Sequence, residues 1–231
     1  MADEFITLDI SETKLAQWVI KFRLPDRGGP SDVFLLLHGW TGDENSMSIF
    51  ISRLPKDMII ISPRGLFNTP LGGFGWRPSG SEIWPDINAF NRAIEALNEL
   101  FDTGKKSFPS YLSISFNRLK IVGFSQGAAL GYSYALLNPD RVQSLAGLSG
   151  FLPSGIDEQL KNEPLLEKAV FIAHGTRDEI VPVERAREAV NKLRVAGANV
   201  TYCEDNVGHK LSLTCFQGLE KFFFKQNNID N

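Results

Sequence analysis

Six apolar runs without polar alternation constrain this chain most. They are Val33–Leu37, Met58–Ile61, Leu119–Val122, Ser144–Leu148, Ala169–Ala173 and Asn199–Cys203. A strand with one wet face alternates apolar and polar residues, whereas a strand buried on both faces does not. The runs therefore predict a mostly parallel sheet covered by helices on both faces. Segments with helical spacing lie between them. Asp86 to Leu100 puts Ile87, Phe90, Ile94 and Leu97 on one face, with Phe101 next in the series. Val183 to Val195 opens after a proline and closes before Gly197, and a last helix is expected from Leu211 to Phe224. The start of the chain reads differently. Phe5–Ile10 and Leu15–Leu24 alternate and flank Ser-Glu-Thr-Lys, which predicts an antiparallel hairpin at the sheet edge. Gly28-Gly29-Pro30-Ser31 is expected to turn the chain into the first core strand. With 231 residues and no internal repeat or linker, one α/β domain spanning residues 1–231 is expected.

Composition excludes several classes of function. A net charge of −3 leaves no basic footprint for nucleic acid. No apolar stretch is long enough for a membrane span, and the acidic opening Met1-Ala2-Asp3-Glu4 is unlike a secretory leader. Cys203 and Cys215 are too few for a disulfide framework. They read as reduced thiols of a cytoplasmic protein, with a single bridge between them as the alternative.

The chemistry is announced by Gly123-Phe124-Ser125-Gln126-Gly127. A strand leads in and a small-residue helix leads out, so Ser125 stands at the apex of a sharp turn. A serine hydroxyl needs a base to act as a nucleophile. Three histidines are available. His38 and His174 end core strands and are expected to bond loop backbone. His209 follows the last strand and precedes the last helix, the place an α/β hydrolase gives its base. The acid that orients the imidazole is read as Asp178, beyond the fifth core strand, with Asp205 and Glu179 as alternatives and Asp157 behind them. Two backbone N–H groups must meet the developing oxyanion. The residue after the nucleophile, Gln126, supplies one. Trp40 in His38-Gly39-Trp40-Thr41-Gly42 is the candidate for the other, with Thr41 second. The histidines have no metal-ligand spacing, and neither a metal nor an organic cofactor is expected.

Pro63 to Pro85 resists assignment. It holds five glycines and Phe67, Phe74, Trp76 and Trp84, and it follows a strand end, where such sheets place their ligands. It either carries function or lays aromatic rings over the core. On the first reading Phe67, Phe74 and Trp76 contact substrate, together with Thr41 and Val181.

The blocks Leu37–Asp43, Ser62–Gly65, Gly123–Ala128, His174–Pro182 and Gly208-His209 together resemble the phospholipase/carboxylesterase family of α/β hydrolases, which includes acyl-protein thioesterases and small carboxylesterases. The blocks fall in the family's order. The resemblance implies Ser125, Asp178 and His209 as a triad, backbone amides near Trp40 and Gln126 as the oxyanion hole, a small ester or acyl substrate, and compatibility with a homodimer. Trp40-Thr41-Gly42-Asp43 departs from the family's smaller Leu-Gly-Asp pattern, so a bulkier wall is expected beside the oxyanion hole. The rival readings are a serine peptidase or lactone hydrolase on the same fold, and a non-catalytic binding protein on a hydrolase scaffold.

Overall fold

All six apolar runs become strands. A computed structural model describes residues 6–7, 18–24, 31–51, 54–55, 58–80, 83–104 and 114–227. In chain order the strands are β1 (Ile6–Thr7), β2 (Ile20–Arg23), β3 (Ser31–Leu37), β4 (Ile59–Pro63), β5 (Phe67–Asn68), β6 (Phe74–Gly75), β7 (Ile114–Phe124), β8 (Val142–Leu148), β9 (Ala169–Gly175) and β10 (Asn199–Asp205). The helices are α1 (Ser48–Ile51), α2 (Asn91–Gly104), α3 (Gln126–Leu137), α4 (Val183–Val195) and α5 (Leu213–Asn227). Eight strands form one sheet in the order β1-β2-β4-β3-β7-β8-β9-β10. From β4 to β10 every pairing is parallel, and β1 and β2 add antiparallel at the edge. This is the expected α/β architecture. The expected hairpin is present in its outer parts, Ile6–Thr7 against Ile20–Arg23. Its turn, and residues 28–30 of the expected turn before β3, lie outside the described residues.

Each core strand feeds two separate cores through the period of two in its side chains. Val33, Leu35 and Leu37 of β3, with Ile121 of β7, pack under α2, α3 and α4. Phe34 and Leu36, with Val122, pack under α1 and α5 against Met47, Phe50, Leu219 and Phe223. That is why the runs show no alternation. α3 lies between the sheet and α2, and its residues are buried from Gln126 to Leu136. It therefore lacks the polar face of a surface helix.

Helix limits follow their caps. Asp86 accepts hydrogen bonds from the N–H groups of Asn88 and Ala89 and starts a 3₁₀ turn that runs into α2. At α5 the Ser212 hydroxyl accepts the N–H of Cys215 at 3.1 Å. This cap starts the helix at Leu213 rather than at Leu211.

The cysteines require a correction. They are not reduced thiols but one disulfide, Cys203–Cys215, with Cα atoms 5.8 Å apart. The chain leaves β10 at Asp205 and turns back into α5, which lays Cys215 over Cys203. Sequence alone could not show that return. The bridge closes a loop across 12 positions of sequence. On loop-entropy grounds it is worth about 3 kcal/mol. Removing it by reductant, or by Cys203→Ser with Cys215→Ser, is expected to lower the melting temperature by about 6–12 °C. Scanning calorimetry with and without reductant measures this, and an unchanged transition would contradict it.

Candidate active site

The strand order reverses around β3, which has β4 on one side and β7 on the other. The crevice at the carboxyl ends of these strands is where an open α/β sheet places a ligand. The segment after β3 carries Gly39-Trp40-Thr41-Gly42, and the turn after β7 carries Ser125.

Ser125 has φ of 54° and ψ of −117°. A non-glycine residue there stores on the order of 1–3 kcal/mol of strain, which the surrounding packing must hold. Two glycines make that packing close. A Cβ on Gly123 would lie 2.4 Å from the Gly127 carbonyl oxygen, and one on Gly127 would lie 2.1 Å from the Leu37 carbonyl oxygen. Residues with side chains cannot bring α3 down onto the ends of β3 and β7 in this way. The Ser125 N–H donates to the Leu148 carbonyl at 2.8 Å, which ties the elbow to β8.

Asp178 and His209 meet across 31 residues of sequence. The His209 Nδ1 lies 2.7 Å from Asp178 Oδ2. The Asp178 side chain is fully buried. Its Oδ1 accepts the N–H groups of Ile180 and Val181, each at 2.9 Å. An acceptor so held orients the imidazole, with the proton on Nδ1. The Phe124 ring packs on the His209 ring at 5.0 Å between centroids. The alternative acids are engaged elsewhere. Asp205 ends β10 and accepts the Asn206 N–H. Asp157 pairs with Lys192 at 3.6 Å. Glu179 is exposed on the rim of a shallow groove beside His209.

The other two histidines bond loop backbone, as their strand-end positions suggested. His38 Nδ1 lies 2.7 Å from the Gly39 carbonyl oxygen, which can only accept, so Nδ1 carries the proton. Its Nε2 then accepts the Gly65 N–H at 2.8 Å. His174 Nε2 donates to the Val181 carbonyl at 2.8 Å and also lies 3.3 Å from Asp178 Oδ2. It is a second imidazole against the same carboxylate. Burial pushes the pKa of both His38 and His174 down.

On the oxyanion side, Gly42 N–H closes a tight turn onto Gly39 O at 3.1 Å, with Trp40 and Thr41 in its middle. Thr41 has a positive φ of 66°. Gln126 opens α3, where a first-turn N–H has no intrahelical partner.

The unassigned segment resolves into two halves. Its first half is a small hairpin, β5 with β6, folded onto the segment after β3 by the Phe74 N–H to Gly42 carbonyl bond at 2.9 Å. The expected substrate contact at Trp76 is corrected. Trp76 is fully buried, donates from Nε1 to the His38 carbonyl at 2.8 Å, and packs on the His38 ring. Its backbone N–H donates to the Gln126 side-chain carbonyl at 2.7 Å. Phe67 and Phe74 belong to the hairpin, under the guanidinium groups of Arg92 and Arg64, and line neither cleft described next. Its second half, with Arg77, Ile83 and Trp84, lines a cleft of about 320 Å³ together with Ser125, Gln126, Trp40, Phe151 and Val181. A second cleft of about 470 Å³ holds His209, Trp40, Thr41 and Phe124. Thr41 lines the larger cleft and Val181 the smaller. Sequence reading missed Trp84, Phe151, Phe50 and Phe216. Phe124 and Leu211 could have been found, because they stand beside Ser125 and His209 in the chain.

Among the described residues no helix is long and apolar enough to cross a membrane. The sequence pattern of the phospholipase/carboxylesterase family matches residues 26–227. The chain belongs to this family. It is similar to acyl-protein thioesterase 1 of Debaryomyces hansenii, with 33% identity over 168 residues, covering 64% of this chain and 69% of that one. It is also similar to acyl-protein thioesterase 1 of Saccharomyces cerevisiae, with 32% identity over 111 residues, covering 47% of this chain and 45% of the yeast protein. The matched region thus spans less than half of the yeast relative. Among solved structures, the Bacillus cereus carboxylesterase superposes with a TM-score of 0.76 at 23% identity, covering 92% of this chain and 99% of that one. That likeness speaks for the fold.

The two buried histidines make stability depend on pH. Asp43, Glu44 and Arg64 surround His38, and Asp178, His209 and Glu204 surround His174, but burial is the largest influence on both. Their folded pKa values lie below the ordinary 6.5 of the unfolded chain. As pH falls through 6.5 the unfolded state takes up protons that the folded state does not, so stability is lost on acidification. The slope approaches about 1.4 kcal/mol per pH unit for each histidine. The urea midpoint is expected to fall between pH 7.5 and pH 5.5, and a flat midpoint would contradict this account.

Proposed function

We propose that this member of the phospholipase/carboxylesterase family is a serine hydrolase of carboxylic esters or thioesters, working through an acyl-enzyme on Ser125. The observation that carries the reading is the 2.7 Å bond from His209 Nδ1 to the buried Asp178 carboxylate. It leaves Nε2 unprotonated and so basic, and it stabilises the imidazolium that forms when a proton is taken up. Ser125, on its strained elbow, is the hydroxyl we assign to that base.

In this mechanism His209 takes the Ser125 proton as Oγ attacks the acyl carbon. The Gln126 and Trp40 N–H groups receive the negative charge on the former carbonyl oxygen. His209 then passes the proton to the departing alcohol or thiol. Water, deprotonated in turn by His209, releases the acid and restores Ser125. The names of the fungal relatives support a thioester as the alternative to an oxygen ester. We take residues 1–231 as one hydrolase domain, with a homodimer as the assembly on family grounds. A cytoplasmic location belongs to the same proposal and carries a consequence. The Cys203–Cys215 bridge must then persist against the reductants that keep most cytosolic thiols free, and thiol alkylation before lysis would register whether it does.

Ser125→Ala is expected to lower kcat on a p-nitrophenyl ester by about 10³-fold or more. Asp178→Asn, which disturbs the tautomer of His209 while keeping its shape, is expected to cost about 10³–10⁴-fold. A fluorophosphonate probe should label the native chain and not Ser125→Ala. Ester hydrolysis that survives Ser125→Ala would overturn the assignment, and failure to label the native chain would favour a binding protein on a hydrolase scaffold.

A further inference from the structure

Two clefts share Trp40 as a lining residue, and they hold different parts of the proposed reaction centre. The smaller is lined by Ser125 and Gln126 but not by His209. The larger is lined by His209 but not by Ser125 or Gln126. Trp40 lines both.

The chemistry decides which part of an ester each cleft takes. Acylation breaks the bond between the acyl carbon and the alcohol oxygen. Ser125 Oγ takes the acyl carbon, and the alcohol oxygen keeps the bonding electrons and receives the proton that His209 removed from Ser125. The leaving oxygen must therefore lie beside His209. The acyl carbon must lie beside Ser125 and the Gln126 N–H. Resting on the serine hydrolase reading, we propose that the larger cleft is the leaving-group subsite and that it selects apolar alcohols, above all those bearing an aromatic ring.

The walls carry the selection. They are formed by Met47, Ile49, Phe50, Phe124, Leu211 and Phe216. Phe50 and Phe216 stack at 5.4 Å between ring centroids and line the same cleft as Phe124 and His209. Ile49 is 64% exposed, apolar surface that a bound alcohol would cover. The polar groups in the lining are few. The Ser46 hydroxyl is already bonded to Asp43 at 3.0 Å, the Thr41 hydroxyl lies at the exposed rim, and Lys210 is the single Lys, Arg, Asp or Glu in the lining. A glycerol, sugar or similarly hydroxylated leaving group would lose water along the apolar walls and could regain hydrogen bonds only at the rim residues Thr41 and Lys210. An alkyl or aryl group would gain from the same burial. The disulfide supports this wall from behind, since it fixes Cys215, the neighbour of Phe216, to β10.

The test holds the acyl group constant and varies the alcohol. Acetates of ethanol, ethylene glycol and 3-phenylpropanol form the same acetyl-enzyme, so differences in kcat/KM report acylation alone. The 3-phenylpropyl ester is expected to exceed the ethyl ester by about tenfold or more, and the glycol ester should fall at or below the ethyl ester. Ile49→Ser and Phe216→Ala are expected to reduce the phenylpropyl-to-ethyl ratio severalfold. Ile49 is surface-exposed, so its variant keeps the test valid if Phe216→Ala fails to fold. Leu213→Ser, an equally exposed site on α5 outside the cleft at 69% exposure, is the control and should keep the ratio. A Ser125-dependent esterase with a flat alcohol preference, or with a ratio that Ile49→Ser leaves intact, overturns the leaving-group assignment and leaves the hydrolase reading standing. Ester hydrolysis independent of Ser125 overturns both.

Discussion

The close approach of α3 to the strand ends beneath it is the constraint on which the site depends. The Leu37 carbonyl sits where a side chain on Gly127 would be, and the Gly127 carbonyl where a side chain on Gly123 would be. Because the helix can descend so far, the chain must reverse at one residue, and Ser125 takes the positive φ that results. The same descent puts the first N–H groups of α3 beside the segment that follows β3. A helix N-terminus carries partial positive charge. The strained serine and the placement of the open helix N-terminus beside the segment after β3 are therefore consequences of one packing contact rather than two separate devices.

A second constraint organises everything above the sheet. His38 is neutral and fully buried, with each ring nitrogen in one hydrogen bond, and its carbonyl receives the Trp76 indole. Gln126 answers from the other side by accepting the Trp76 backbone N–H. Three segments far apart in sequence, after β3, after β4 and at the start of α3, are joined through three side chains, those of His38, Trp76 and Gln126. Arg64 reinforces the joint with paired bonds to Glu44 at 2.7 and 2.8 Å. This explains how a loop rich in glycine can hold Trp84 and Arg77 at the edge of a cleft. Its first half is anchored as firmly as a core element.

What could be read from the sequence follows from this physics. The six strands were legible because burial on both faces leaves an uninterrupted run, as at Val33–Leu37. The turn at Ser125 and the meeting of Asp178 with His209 were legible because each residue follows a strand, where chain order alone limits the partners. The role of Trp76 was not, because a buried indole and a substrate-facing indole have the same sequence signature. They differ only in whether a carbonyl such as that of His38 lies within reach. The Cys203–Cys215 pairing was hidden for a related reason. It depends on the path of the chain between β10 and α5, and no local pattern encodes that return. Gln126 was read through its backbone alone, since its amide side chain acts on a residue 50 positions away.

The three proposed catalytic groups are held by unequal means. Ser125 is tied by its N–H to β8, and Asp178 by two N–H groups of its own loop. His209 has no strand or helix of its own. It sits in the segment between β10 and α5, and the disulfide closes that segment into a ring. Inside the ring, Val207 accepts the Arg177 N–H at 3.0 Å and so joins the His209 segment to the loop that carries Asp178. The bridge thus shortens the set of conformations open to the base without touching it. It acts in the same way on Leu211 and Phe216, which line the cleft beside the imidazole. Stability, the placement of His209 and the shape of the cleft wall beside it are in this chain coupled through one covalent closure.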